Sequence, residues 1–300
     1  MKNFVLALSL AACVMAFSGS KKPDDDKFMS SLDSAAQSPS LVIDEQAIAS
    51  ILEQIPSPLE TSVLLKQSGT KYNESILNSP SNESKYNTNF KKALNLGIYG
   101  TDLGYTNIYE QKMAGIKYLS SIKSLADDLG IGQYFDMETI GKLAANSRNL
   151  DSLLLITTQN FNSINKYLQG ENKSNLSVLL LVGGWLEAME ITCQVAVADK
   201  TNAQLKETIG AQKIVLEQLA LLLSFYEGEA QMADLSNDLK NLKVLFDAIE
   251  ITYTYKESTM EIVNGVAVIK DNSTTTIDIT DSDVQNIQKN IAAIRTKITS

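Results

Sequence analysis

Histidine is absent from the 300 residues of this sequence. Imidazole is the usual general base near neutral pH and the commonest ligand of transition metals, so its absence excludes Ser-His-Asp and Cys-His catalysis. The two cysteines, Cys13 and Cys193, are too few for a zinc site built from Cys and His or for an iron–sulfur cluster. We therefore expect no metal and no cofactor, and any catalysis would rest on carboxylates, lysine, tyrosine or serine.

Basic residues are also scarce: 26 Lys and Arg stand against 35 Asp and Glu, which gives a net charge of −9. No cluster of Lys and Arg is interleaved with aromatic residues, so we expect no nucleic-acid partner. The hydrophobic content of 44% and the charged content of 20% are ordinary for a folded globular protein. Disorder is therefore not the main state of the chain.

The first 20 residues have the order of a signal peptide. A positive start at Met1–Asn3 precedes an apolar stretch, Phe4–Phe17, and a polar stretch, Ser18–Lys22. The apolar stretch is too short to span a membrane. We predict an exported protein that is outer-membrane-associated, periplasmic or surface-facing, with residues 21–43 forming a flexible polar tether.

The sequence Leu10-Ala11-Ala12-Cys13 resembles a lipobox, in which the signal is cut before a cysteine that then carries a lipid. Cys13 is therefore the candidate lipidation residue, and the membrane is the expected partner. A second register ends at Ser20, where a lipobox would have cysteine, and the acidic stretch Lys21–Asp26 resembles the segment behind the anchor in surface-exported lipoproteins. Either Cys13 carries the lipid, or it belongs to the apolar stretch and cleavage falls near Ser20.

From Asp44 onward apolar residues recur at three- and four-residue spacing, which predicts a mainly α fold: a multi-helix bundle in one domain, residues 44–300. A small antiparallel β-hairpin is predicted at 259–279, with an Asn264-Gly265 turn and a candidate third strand at Thr274–Ile279. Asp281 or Ser282 is expected to cap a final helix over 281–298. The other helices are predicted near 44–55, 59–66, 90–103, 105–129, 137–146, 149–168, 175–198, 202–226 and 232–253, with a long loop over 68–88.

The run Leu176–Leu186 is the most apolar part of the chain after the export segment. It is shorter than the ~20 residues that a bilayer core requires, so we interpret it as the central helix of the bundle. Gly183-Gly184 within this run indicates the close approach of either a neighbouring helix or a ligand, and we favour the helix.

Two groups of residues are candidate ligand-binding sites. Tyr99, Asp102, Tyr105 and Tyr109 surround Gly97, Gly100 and Gly104, where a kinked helix either lines a pocket or packs its tyrosines at the break. Trp185, Glu187 and Glu190 lie on the apolar helix. The two glutamates either form an acid–base pair, hold a cation, emerge at the surface, or pair with Lys or Arg148.

The segments ALNLGIYGTDL (93–103) and LLLVGGWLE (179–187) resemble segments of uncharacterised helical envelope lipoproteins of gram-negative bacteria. The resemblance extends over about 90–226. It implies lipoprotein export and a helical fold, brings no catalytic motif or substrate, and is broken at the anchor by Ser20.

These observations favour an exported envelope (lipo)protein that acts as a non-catalytic binding or structural module. Its expected partner is another envelope protein or a small ligand. One alternative is a carboxylate-based enzyme acting on glycans, with residues drawn from Asp102, Glu110, Glu187 and Glu190. Another is a small-ligand sensor or carrier with an apolar pocket near Tyr99–Tyr109.

Overall fold

The computed structural model describes residues 48, 51, 64–66, 69–135, 150–263, 266–270 and 272–300. Within these residues the fold is mainly α-helical, as the sequence predicts, and it carries two small antiparallel sheets. The export segment, the tether, Cys13 and the predicted helix at 137–146 lie outside the described residues.

The helices are α1 (Asn89–Ile108), α2 (Lys112–Asp128), α3 (Leu150–Gly170), α4 (Ser174–Ala198), α5 (Ala203–Ser224), α6 (Ala230–Asp247) and α7 (Asp281–Thr299).

Helix α4 is the centre of the bundle. It is apolar on all sides, and α1, α3, α5 and α7 pack against it. Among the described helices it alone is long and apolar enough to cross a membrane, yet its most apolar 18-residue stretch is 100% buried inside the bundle. A helix that is hydrophobic all round must be covered, and here the other helices cover it.

Helices α1 and α4 approach each other most closely through glycines. A β-carbon added to Gly97 would lie 2.0 Å from the carbonyl oxygen of Leu180. One added to Gly183 would lie 2.0 Å from the carbonyl oxygen of Leu94. No side chain fits at either position. Gly183 therefore allows the close approach of a neighbouring helix, which is the explanation favoured from the sequence.

The break between α1 and α2 differs from the prediction. The sequence places it at Gly104, but α1 continues through this buried glycine to Ile108, and the chain turns at Glu110, whose φ is +57°. One glycine inside a helix costs about 1 kcal/mol, and here the helix continues because Gly104 and its neighbours are buried.

The C-terminal strands are β1 (Glu250–Thr254), β2 (Thr259–Val263), β3 (Val266–Lys270) and β4 (Thr274–Asp278). The predicted hairpin is β2 paired with β3, and its Asn264-Gly265 turn lies outside the described residues. Strand β4 pairs with β1 instead of extending the hairpin.

Two details of the C-terminal prediction were wrong. The helix predicted to reach Tyr253 ends at Asp247, because the β-branched and aromatic residues of β1 favour an extended chain. The cap of α7 is Thr280, which exchanges hydrogen bonds with Asp283, rather than Asp281 or Ser282.

The predicted loop before α1 is packed rather than open, and we call residues 69–87 the strap. It contains two short 3₁₀ turns, Glu74–Ile76 and Pro80–Lys85. Ile76, Leu77 and Asn78 at its centre are buried. The strap therefore contributes both apolar and polar groups to the interior.

Candidate functional site

A salt bridge between α4 and α7 lies under the strap. Arg295 Nη2 donates to Glu187 Oε1 at 2.6 Å, and Arg295 Nε donates to Oε2, so the two groups meet in bidentate geometry. The side chain of Glu187 is 0% exposed and that of Arg295 is 17% exposed. Nη2 also donates to the carbonyl oxygen of Ile76 at 3.1 Å. One guanidinium thus joins α4, α7 and the strap.

Asp102 of α1 lies fully buried beside this salt bridge. Its Oδ2 accepts a hydrogen bond from the Asn78 backbone N–H at 3.2 Å, while Oδ1 is buried with no donor. The Asp102 carboxyl is within hydrogen-bonding reach of Glu187. Carboxylate oxygens only accept hydrogen bonds, so a proton on one of the two groups is needed to join them.

The surroundings of Asp102 oppose its ionisation. Burial raises the pKa of Asp102 well above 3.8, and the charge and hydrogen bonding of Glu187 raise this pKa further. Arg295 and the Asn78 N–H act in the opposite direction without cancelling the effect. For Arg295, burial lowers the pKa, but hydrogen bonds and charge from Glu187 outweigh burial and leave it raised. The site therefore favours a neutral Asp102 and a charged Arg295.

Asn78 uses all of its polar groups, some to reach α1 and α2 and others to bond within the strap. Its Nδ2 donates to Tyr86 Oη at 3.0 Å and to Asn95 Oδ1 at 3.3 Å. Its Oδ1 accepts from Asn82 Nδ2 at 2.8 Å, and its carbonyl oxygen accepts from the Tyr118 hydroxyl at 2.9 Å. A buried amide with every hydrogen bond made fixes the chain in one position.

Three tyrosines fill the space between the strap, α1 and α2. The ring of Tyr99 lies 6.1 Å from that of Tyr86 and 5.8 Å from that of Tyr118, measured between centroids. The Tyr99 hydroxyl donates to the carbonyl oxygen of Ser79 at 2.9 Å. Tyr99 is thus a core residue whose hydroxyl holds the strap, and the space around it is occupied.

A second tyrosine group stacks where α1 ends. The centroid of Tyr105 lies 4.8 Å from that of Tyr109 and 5.4 Å from that of Tyr72. Tyr105 Oη accepts from the Asn73 N–H at 3.2 Å, whereas the hydroxyls of Tyr72 and Tyr109 are buried without a partner. Burial raises the pKa of Tyr72 and of Tyr109 to about 12. The three rings pack against one another.

The remaining predicted residues of α4 are also enclosed. Trp185 donates from Nε1 to Gln212 Oε1 of α5 at 2.9 Å. Glu190 accepts from Gln194 Nε2 at 2.6 Å through Oε1, and its Oε2 is buried with no donor. Burial raises the pKa of Glu190. Because Asp102 and Glu187 have no exposed surface and Glu190 is buried, these carboxylates do not face a cleft that a glycan chain enters.

A groove of about 410 Å³ lies between the strap and the end of α4. Lys71, Asn73 and Ile76 line it on the strap side, and Gln194 and Asp199 line it on the other. Both signs of charge are therefore available to a small polar ligand. None of these residues stands out in the sequence.

The structure brings together Asp102 and Glu187, which the sequence places in separate groups. It adds residues that sequence reasoning missed, namely Asn78, Asn95 and Arg295. The sequence signal that could have identified Arg295 is that it is one of only two arginines and lies on the C-terminal helix, which has an apolar stripe. Arg148, the partner considered for the glutamates, lies outside the described residues. Within the residues that the structure describes, no group of three or more acidic or Cys side chains is placed to hold a metal ion.

Comparison with known proteins found no relative. No protein-family model, no curated protein and no solved structure matches this chain. The function must therefore be inferred from the residues and their geometry.

Proposed function

We propose that this chain is an exported protein of the bacterial envelope that acts by binding another envelope component rather than by catalysis. The signal-like residues 1–20, with Cys13 as the candidate lipid carrier, support export and attachment to a membrane. The burial of Asp102, Glu187 and Glu190 supports a role without catalysis, because a general acid or base must reach its substrate.

The observation that carries the binding role is the exposed apolar face of the β2–β3 hairpin. Met260 is 73% exposed, and Ile262 and Ile269 are each 77% exposed. Met260 pairs with Ile269, and Ile262 lies two residues from Met260, so the three share one face of the hairpin. Exposed clusters of large apolar side chains mark interaction sites.

The chemistry of the hairpin indicates which kind of partner covers it. Among the described residues β2 and β3 pair only with each other, so the sheet has two outer edges without a partner strand. A two-stranded sheet is marginally stable alone, and burying its edges requires hydrogen-bonding groups that lipid does not supply. An extended polypeptide segment supplies both backbone groups and apolar side chains, and we propose this class of partner.

Photo-crosslinking in a native-like envelope tests this proposal. A photoreactive residue replaces Ile262 in the full chain, and a control chain carries it at Val244 of α6, which is 66% exposed. We expect position 262 alone to yield a cross-link to a single extended peptide, and Met260→Ser with Ile269→Ser to remove it. A product of twice the chain mass would identify a second copy. Equal labelling from both positions, or adducts with lipid alone, would contradict a strand partner.

The proposed export and membrane attachment are tested separately, by intact mass and membrane fractionation of the full chain beside a Cys13→Ala variant. A diacyl or triacyl mass that disappears in the variant together with membrane association would support a lipoprotein. An unlipidated chain cut near Ser20 would contradict the anchor and leave a soluble exported protein.

The groove supports a second candidate function, a small-ligand sensor or carrier. Lys71 and Asp199 suit a ligand that carries both charges, such as a free amino acid. Thermal shifts with the amino acids as probes, compared between the wild type and a Lys71→Met, Asp199→Asn variant, test it. A ligand that stabilises only the wild type is expected, and the absence of any stabilising amino acid would exclude this class.

A further inference from the structure

The strap is held to the bundle through the buried charges. Asn78 donates its backbone N–H to Asp102, and Arg295 donates to the carbonyl oxygen of Ile76. The same segment forms one wall of the groove, through Gly69, Lys71 and Ile76 among others. Whatever changes the charge of this cluster therefore acts on a wall of the groove.

Charge in the cluster is unbalanced when every acid is ionised. Asp102, Glu187 and Glu190 interact with one guanidinium, that of Arg295, which would leave two negative charges uncompensated. Asp102 Oδ1 and Glu190 Oε2 are buried without donors. The titratable and charged groups around Asp102 are Tyr72 and Tyr86 of the strap, Tyr99 of α1, Tyr118 of α2, Glu187 of α4 and Arg295 of α7.

We propose that Asp102 and Glu187 form a proton-binding site, and that loss of its proton releases residues 69–78 of the strap and opens the groove. The proton sits on Asp102 Oδ1 and points at Glu187, whose oxygens also accept from Arg295. In this form Asp102 Oδ2 accepts from Asn78 and the strap is closed. Without the proton, two carboxylates face each other in the interior, and separation of the strap admits water to them.

The coupling between proton binding at Asp102 and the position of the strap sets the direction of the pH dependence. The closed form raises the pKa of Asp102, whereas an open form exposes the carboxyl and returns its pKa toward 3.8. The closed form is therefore favoured at low pH, and this advantage is lost as pH rises from about 4 toward the pKa of the closed form. The four neighbouring tyrosines have raised pKa values and stay neutral in this window. Glu190 also has a raised pKa, so it requires its own control.

Hydrogen exchange of the full chain between pH 5 and 8, corrected for the intrinsic rate at each pH, tests the opening. We expect amides of Asn73, Leu77 and Asn78 to exchange faster than those of α5 at every pH. The equilibrium constant for opening of the strap at these amides should rise about tenfold per pH unit below the pKa of the closed form. Asp102→Asn mimics the protonated acid and should abolish the slope, whereas Glu190→Gln should keep it.

Infrared difference spectra of the wild type against Asp102→Asn report the proton itself, as the carbonyl band of a buried carboxylic acid near neutral pH. The absence of this band in the wild type would overturn the proposal. A strap that exchanges at the same rate as α5, or with no dependence on pH, would also overturn it. The pH dependence of exchange in the wild type requires no variant, so this readout remains decisive even where Asp102→Asn fails to fold.

Discussion

At the scale of single residues, the interior contains a cluster of polar side chains whose partners lie far away in sequence. Glu187 and Arg295 are 108 positions apart, and Asn78 and Asp102 come from two further segments. A buried charge is costly unless it is paired and hydrogen-bonded. Each member therefore depends on the presence of the others.

Replacing Glu187 by Gln should lower the free energy of unfolding by about 3–5 kcal/mol, because Arg295 would remain buried without its counter-charge. Urea unfolding followed by circular dichroism measures this change. The matched control is Glu217→Gln, since Glu217 pairs with the half-buried Lys243 near the surface. Such surface pairs contribute little, so the control should change stability far less. Similar losses in both variants would contradict a special role for the buried pair.

The sequence predicted which acids are unusual at this scale, but not what they do. Glu187 and Glu190 are recognisable because they interrupt a helix that is otherwise apolar, and Asp102 because it lies among tyrosines near the glycines of α1. Their partners are not recognisable in the same way, because helical periodicity relates residues three or four positions apart and carries no information on contacts over a hundred positions.

At the scale of elements, the contact between α1 and α4 depends on backbone approach. Gly97 and Gly183 each face a carbonyl oxygen of the other helix. This arrangement requires the absence of side chains on both helices at one crossing point. Packing density in the interior leaves no room to absorb an extra methyl group there.

Gly97→Ala should therefore destabilise the protein by about 1–3 kcal/mol or more, since the two helices must separate. Gly100→Ala in the same helix is the control, because no atom lies within 4 Å of the added β-carbon. There the better helix propensity of alanine should raise stability by roughly 0.5–1 kcal/mol. Thermal unfolding of both variants measures the two effects. Stability changes of the same sign in the two variants would contradict a glycine-mediated crossing of α1 and α4.

The helices were the elements most open to prediction, because apolar spacing and capping residues are local signals. Strand β1 was missed because Ile249 and Tyr253 continue the three- and four-residue apolar spacing of the preceding helix from Phe246. The strap was predicted as a loop because its Ser, Asn and Pro residues are typical of turns. Its burial depends on partners in α1, α2 and α7.

At the scale of the whole molecule, the described helices surround α4 on all sides, and Cys193 lies within this core. Cys193 is a free thiol that is 0% exposed, and burial raises its pKa above the ordinary value. A thiol reacts as its thiolate, so both access and ionisation protect it.

Cys193 should therefore react with a thiol reagent only after global unfolding. In a chain with Cys13→Ser, the labelling rate measured across a urea series should follow the loss of circular dichroism. A further Ser282→Cys substitution, at an exposed position, should give a thiol that labels at once without denaturant. Fast labelling of Cys193 in the absence of urea would mean that the core opens locally.

The sequence by itself determined the lack of histidine chemistry, the mainly α fold and the C-terminal hairpin, because composition and local periodicity encode each of these. Only the tertiary structure decided that the apolar helix is covered by other helices and that Asp102 meets Glu187. It also decided that Arg295 completes this cluster under the strap. These outcomes depend on which segments pack together, and packing is set by the shape and burial of the whole chain rather than by any local pattern.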